Sequence, residues 1–141
     1  MVGVVVATHG RLAAELVACA EAIVGKMPRV QAVSVSAEVP MDAARDALAL
    51  AIREVDEGDG VLVLTDMLGG TPANLALGFL EGRVDVVTGA NLPMLLKLST
   101  CRAARTPLEE IARLITAYGQ KNITLASELL RARARGGPET P

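Results

Sequence analysis

Short, continuous apolar runs alternate along the chain with longer segments in which apolar residues recur at helical spacing. Runs of this kind, rich in β-branched residues, are typical of strands buried on both faces. They predict strands over residues 2–7, 30–36, 61–65 and 84–88. The helical spacing predicts helices over residues 12–24, 41–55, 72–80 and 107–118, and a short helix opened by residues 91–93. Residues 123–125 predict a last short strand.

The regular alternation of strand and helix predicts one α/β domain. We expect an open, mainly parallel sheet of four strands in the order 2-1-3-4, with helices on both faces. The domain is expected to span residues 1–130. Residues 131–141 are expected to form a flexible C-terminal tail, because Gly136–Pro141 offers no apolar residue to anchor it.

Composition and charge indicate what the core consists of and which partners and location to expect. Apolar residues make up 51% of the chain, with one Phe, one Tyr and no Trp, so the core is expected to consist of Val, Leu, Ala and Ile. The net charge is −2 with acids and bases interspersed, which gives no reason to expect nucleic acid or an anionic membrane as a partner. Cys19 and Cys101 have no metal-site spacing and are expected to be free, buried thiols. No basic N-terminal region and no apolar run of ~18 residues occurs, so a cytoplasmic location is expected.

Polar residues follow three of the predicted strands. Thr8 and His9 follow the first strand, Asp66 follows the third, and Asn91 follows the fourth. Ligands of open parallel sheets bind beyond the carboxyl ends of the strands, where the strand order reverses. With the order 2-1-3-4, the first and third strands are neighbours at that point, so His9 and Asp66 are expected to face each other.

His9 is the only histidine of the chain. A lone histidine is often a hydrogen-bonded structural residue, and an Asp at a strand end is often a turn former. Here His9 precedes Gly10, which lets the backbone approach a ligand closely. The carboxylate of Asp66 could hold one ring nitrogen as N–H and leave the other free for attack. One histidine without a nearby cysteine does not make a zinc site, so no metal is expected.

The residues after Asp66 are suited to an anion. Gly69 and Gly70 free the backbone, Thr71 is a good N-cap and Pro72 fits the first helical position. The N–H groups of such a helix start favour a phosphate. Asn74 could add a donor or face solvent. The chain has neither the dinucleotide-binding nor the P-loop glycine pattern. A receiver-type phospho-aspartate domain is excluded as well, because the loop after strand one lacks an acidic pair.

Three segments together resemble the mannose-family EIIA domain of the bacterial sugar phosphotransferase system. They are VVVATHGRLAAELV at residues 4–17, GVLVLTDMLGGTPANLAL at 60–77 and VVTGANLPMLLKL at 86–98. Their order and spacing are similar to that family's over roughly residues 1–126. Met67, Leu68 and Ala73 stand where many relatives have Phe or Trp, so the docking surface is expected to differ.

The resemblance implies a four-stranded parallel sheet and a role for each site residue. His9 matches the histidine that accepts a phosphoryl group from HPr, and Asp66 matches the carboxylate that orients it. Thr71 matches a Ser or Thr close to the phosphoryl group. From the residues themselves we expect the backbone N–H groups around Gly69, Gly70 and Thr71 to hold the phosphoryl oxygens. Asn91, like Thr8, is a candidate pocket residue, with either a structural or a phosphate-facing role.

The resemblance also implies partners. HPr is the expected phosphoryl donor. The chain ends soon after the domain, without a linker or an attached EIIB domain, so we expect the acceptor to be a separate EIIB chain. Any association with a membrane EIIC/EIID complex is expected only through EIIB. No cofactor is required. A working link in sugar uptake and a stand-alone regulatory phospho-switch both fit, and a non-catalytic ligand-binding module is a third, weaker alternative.

The predicted last strand bears on assembly. A parallel sheet of four leaves open edges, and open edges invite pairing with another chain. Residues 121–126 contain β-branched Ile123 and Thr124 and follow Gly119, which is predicted to end the preceding helix. This segment could fold back onto its own sheet or cross to a partner. Exchange of an element is a low-cost route to a two-fold dimer, and the resemblance implies such an exchange, so a swapped homodimer is expected.

Overall fold

The computed structural model describes residues 1–136 and shows a parallel sheet of four strands flanked by helices. The predicted α/β class and the strand order β2-β1-β3-β4 are confirmed. The strands are β1 (Gly3–His9), β2 (Val30–Val35), β3 (Val61–Thr65) and β4 (Val84–Thr88). The helices are α1 (Leu12–Val24), α2 (Met41–Val55), α3 (Thr71–Leu77), α4 (Leu92–Ala103), α5 (Leu108–Lys121) and α6 (Ala126–Ala134).

The sheet is apolar on both faces because its central strands carry no polar alternation. All five residues of β3 are buried, as are the first six of β1. Successive side chains point to opposite faces, so each strand supplies two cores. One face packs against α1, α4 and α5, and its core includes Val4, Val6, Leu62, Leu64, Leu95, Leu98, Ile111 and Ile115. The other face packs against α2 and α3, and its core includes Val5, Ala7, Val61, Val63, Leu48 and Ile52.

The strand register places the end of β1 beyond the end of β3. Ala7 pairs with Thr65, the last residue of β3, whereas His9 still pairs with Val35 of β2. Strand β1 therefore runs two residues past its β3 neighbour. His9 consequently stands where the two central strands separate, next to the loop that begins with Asp66.

The C-terminal part of the chain differs from the sequence prediction. Residues 123–125 form no strand within this chain and instead link α5 to α6, a helix that was not predicted. Gly119 does not end α5 but lies buried inside it, where an added Cβ would come 2.5 Å from Cε of Met94. Helix α6 includes residues 131–134 of the predicted tail, and residues 137–141 lie outside the described part of the chain.

The two cysteines differ in their exposure to solvent. Cys101 is buried as predicted, but Cys19 is exposed, because α1 turns Ala13 and Ala20 towards the core and leaves Cys19 on its outer face. Within residues 1–136, no helix is long and apolar enough to cross a membrane.

Candidate active site

The imidazole of His9 is held by one carboxylate oxygen. The backbone N–H of His9 and its ring Nδ1 both lie within hydrogen-bond distance of Oδ2 of Asp66, at 3.1 Å and 2.7 Å. An ionised carboxylate can only accept hydrogen bonds, so Nδ1 carries the proton and donates it. In the neutral ring, the other nitrogen, Nε2, then has a free lone pair. The side chain of His9 is 48% exposed, so a reactant from solution can reach the ring.

Asp66 is itself well fixed. Its side chain is only 14% exposed, and its second oxygen, Oδ1, accepts the N–H of Met67 at 3.0 Å. Burial raises the pKa of this carboxyl, but the hydrogen bonds from the His9 ring and backbone outweigh that effect and leave the pKa below its ordinary value. The carboxylate is therefore ionised at neutral pH, the state in which it can orient His9.

Gly70 lies against the edge of the ring that carries Nε2. A Cβ added at Gly70 would lie 2.6 Å from Cε1 of His9 and 3.3 Å from Nε2. The backbone at Gly70 is extended, with φ −83° and ψ 165°, which any residue can adopt. Glycine is needed here for space alone. At the preceding position, Gly69 has φ +87°, a conformation that favours glycine.

A surface cavity of about 230 Å³ opens beside His9. Its polar lining comes from His9, Ser36 and Thr71, and the rest is apolar, including Val39 and Met41. Thr71, predicted as a phosphoryl-binding residue, is half-buried and shares this cavity with the ring. The cavity is bounded on one side by the start of α3 and on the other by the loop from β2 to α2.

The two candidate pocket residues, Thr8 and Asn91, both make structural contacts. Thr8 is fully buried on the opposite face of β1, and its hydroxyl accepts the N–H of Ala13 in the first turn of α1 at 2.7 Å. Asn91 is the N-cap of α4. Its Oδ1 accepts the N–H of Met94 at 3.1 Å and its Nδ2 donates to the carbonyl of Gly119 at 3.2 Å, which ties α4 to α5. Asn74 is exposed on α3.

The loop from β2 to α2 was missed by the sequence interpretation. It brings Ser36, Val39 and Met41 to the cavity beside His9. A signal was available, because the predicted order 2-1-3-4 makes β2 the other neighbour of β1, and both strands end at the same edge. Within residues 1–136, no group of three His, Cys, Asp or Glu side chains is placed to hold a metal ion.

Comparison with known proteins identifies the family. The family model EIIA-man, described as the fructose IIA component of the phosphotransferase (PTS) system, matches residues 3–116. The chain belongs to the EIIA-man family. EIIA components are phosphotransferase-system proteins that transfer phosphoryl groups, and they work with HPr and EIIB partners.

Individual relatives agree with this assignment. The fructose-specific EIIA component of the PTS system of Bacillus subtilis (strain 168) is 28% identical over 132 residues, covering 92% of this chain and 90% of the relative. The mannose/sorbose-specific IIA subunit from Enterococcus faecalis is 32% identical, with a TM-score of 0.74 over 88% of this chain and 93% of that one. The IIA protein associated with the fucose utilization operon of Streptococcus pneumoniae is 30% identical, with a TM-score of 0.80 over 91% and 95%.

Proposed function

We propose that this EIIA protein accepts a phosphoryl group from phospho-HPr on Nε2 of His9 and passes it to a separate EIIB chain in sugar uptake. The observation that carries the proposal is the 2.7 Å contact between Nδ1 and Asp66, which leaves Nε2 as the nucleophile. A regulatory phospho-switch would use the same phosphohistidine.

The transfer step follows from this tautomer. Neutral His9 attacks phosphorus with the Nε2 lone pair, and a P–N bond forms on the ring. The bond from phosphorus to the donor atom of phospho-HPr breaks, and its electron pair remains on that donor atom. The Nδ1 proton stays on the ring, which becomes cationic and is stabilised by the ionised Asp66. The phosphoramidate stays reactive, so the group can move on to an EIIB thiol or imidazole.

The phosphoryl oxygens need donors, which the loop before α3 can supply. We assign this role to the backbone N–H groups of residues 69–71 and to the Thr71 hydroxyl. The support is proximity, since Gly70 is packed against the Nε2 edge of the ring and Thr71 lines the adjoining cavity. Donors fixed in place before the reaction stabilise charge that develops in the transition state without further rearrangement.

HPr and EIIB must both approach His9. Exposed apolar side chains lie close in sequence to His9 and to Asp66. Leu12 is 45% exposed, Met67 55% and Leu68 69%. Leu12 opens α1 directly after the turn that follows His9, whereas Met67 and Leu68 follow Asp66. We assign these three side chains to the docking surface for HPr and for EIIB, because burial of apolar surface is a main source of affinity in transient complexes.

A swapped homodimer remains part of the proposal. Helix α6 has no buried residue, and Ile123, Leu125 and Leu130 are 77%, 61% and 63% exposed. Among the described residues, strand β4 pairs only with β3 and forms one edge of the sheet. A groove of about 380 Å³ runs between this edge and α5. Placing residues 121–126 of a partner in the groove would cover the open edge and bury the exposed apolar residues that precede α6.

The central experiment is phosphorylation in vitro. The protein is incubated with Enzyme I, HPr and labelled phosphoenolpyruvate. The wild type should take up label as an acid-labile, base-stable adduct, and His9→Ala should take up none while keeping its circular dichroism spectrum. Equal labelling of His9→Ala would refute the proposal. Purified EIIB is then added to the labelled protein, and label should move to EIIB if the chain is a working link in uptake.

A further inference from the structure

The loop from β2 to α2 contributes a hydroxyl to the cavity beside His9 that no part of the proposed mechanism uses. Ser36 follows directly after β2, whose last residue, Val35, pairs with His9 across the sheet. Ser36 is half-buried and lines the same cavity as His9 and Thr71. Because the strand order is β2-β1-β3, the loop that carries Ser36 and the loop that carries Asp66 follow the two strands that neighbour β1.

The Ser36 hydroxyl is available for a ligand. Among the described residues it takes part in no hydrogen bond, and only the backbone carbonyl of Ser36 is used, accepting the N–H of Val39 at 3.2 Å. The neighbouring Ser34 differs, because its hydroxyl donates to the carbonyl of Gly10 at 2.5 Å and so holds the turn after His9. Ser34 has a structural partner, whereas Ser36 has none in residues 1–136.

The cavity has few side chains that could stabilise a phosphoryl group. No Lys or Arg of the described chain lines it, and its other walls are apolar. A phosphoryl group on Nε2 carries negative charge on its oxygens, and hydrogen-bond donors fixed around such oxygens stabilise that charge. Once Nε2 is bonded to phosphorus, the hydroxyls of Ser36 and Thr71 are the polar side-chain groups left in the lining.

We infer that Ser36 is a second side-chain ligand of the phosphoryl group, donating from its hydroxyl to a phosphoryl oxygen in the cavity that Thr71 also lines. This inference rests on the proposed phosphorylation of His9. The two hydroxyls together hold the phosphoryl oxygens, one from the loop after β2 and one from the first residue of α3. Removing the Ser36 hydroxyl leaves one oxygen without its donor, both in the transition state and in the phosphorylated product.

The test compares Ser36→Ala and Ser36→Thr with the wild type in rapid-mixing transfer from phospho-HPr. A hydrogen bond to a charged group is typically worth a factor of about 10 to 100, so Ser36→Ala should transfer about 10- to 100-fold more slowly. Ser36→Thr keeps a hydroxyl and should recover most of the rate. The ³¹P resonance of phospho-His9 should shift in Ser36→Ala relative to the wild type. Thr100→Ala removes an exposed hydroxyl on α4 and should leave both the rate and the resonance unchanged.

The outcomes separate this inference from the proposed function. A wild type that takes up no label overturns the proposed function, and this inference with it. A wild type that is labelled, with Ser36→Ala matching it in rate and ³¹P shift, overturns the inference alone. If both Ser36 variants are equally slow while their melting temperatures match that of the wild type, the hydroxyl is not the group that matters, and the inference is again wrong.

Discussion

Replacing Gly70 by Ala should slow phosphoryl transfer to His9 and leave the free energy of unfolding almost unchanged. The added Cβ would lie 2.6 Å from Cε1 of His9, so the ring would have to move by about 0.8 Å to restore an ordinary contact of 3.4 Å. That displacement acts on a ring whose Nδ1 is held 2.7 Å from Asp66. A misplacement of about 1 Å in a reacting group can cost about 10²-fold in rate. We therefore expect phosphoryl transfer to His9 to slow by about 10²-fold.

The fold should tolerate the same change. The backbone of Gly70 has φ −83° and ψ 165°, a conformation open to alanine, and the His9 ring that must move is about half-exposed at the end of its strand. Replacing glycine by alanine where the native backbone permits it stabilises a protein by about 0.4–1 kcal/mol through the unfolded chain. The free energy of unfolding should therefore stay within about 1 kcal/mol of the wild type.

The assay for this prediction measures two quantities on one variant. Urea denaturation gives the free energy of unfolding, and rapid mixing with phospho-HPr gives the rate of labelling. Gly78→Ala is the matched control, because Gly78 caps the end of α3 with φ −66° and does not contact His9. It should be labelled at the wild-type rate. If Gly70→Ala is also labelled at that rate, the ring does not pack against Gly70 as the structure shows, and the reasoning fails.

Three further predictions concern the carboxylate, the docking surface and the dimer. Asp66→Asn should fold but transfer about 10²–10⁴-fold more slowly in rapid mixing. Since the pKa of Asp66 is lowered, the carboxylate stays ionised at neutral pH, and its protonation should slow transfer only below its ordinary titration range. Leu68→Ser should raise the KM for phospho-HPr about 5- to 30-fold, from loss of about 1–2 kcal/mol of apolar burial, whereas Leu50→Ser, at an exposed position on α2, should not. A chain ending at Lys121 should sediment as a monomer or aggregate, whereas removal of residues 137–141 should leave the dimer; a full-length monomer at micromolar concentration would contradict the proposed exchange.

The sheet and the closeness of His9 to Asp66 could be predicted. Both depend on which segments are buried central strands, and the pattern of apolar residues indicates those segments. The run at residues 61–65 has no polar position, and only a central strand covered on both faces can bury all five side chains. Once β1 and β3 are neighbours, the residues after them must lie at one edge. The closeness of His9 and Asp66 then follows from topology.

The parts that could not be predicted depend on local contacts with no periodic signal. Helix α1 is apolar around much of its surface, with Ile23 and Val24 exposed, so the pattern did not show which face carries Cys19. Gly119 has the composition of a helix end, but it lies where Met94 of α4 passes close to α5. Residues 123–125 favour a strand by composition, but a strand also needs a pairing partner, and within residues 1–136 this segment pairs with neither open edge of the sheet.

The residues that build this site and the residues that react in it contribute differently to the fold. Thr8 is buried, and its hydroxyl pairs with the N–H of Ala13, so its removal would leave a buried donor unpaired at a cost of about 1–3 kcal/mol. His9 and Ser36 stand at the open end of the sheet, outside both cores. Their replacement should alter transfer with little effect on unfolding. Leu68 is more exposed still, so under the docking role proposed for it a substitution there should change the affinity for a partner and leave the contact between His9 and Asp66 in place.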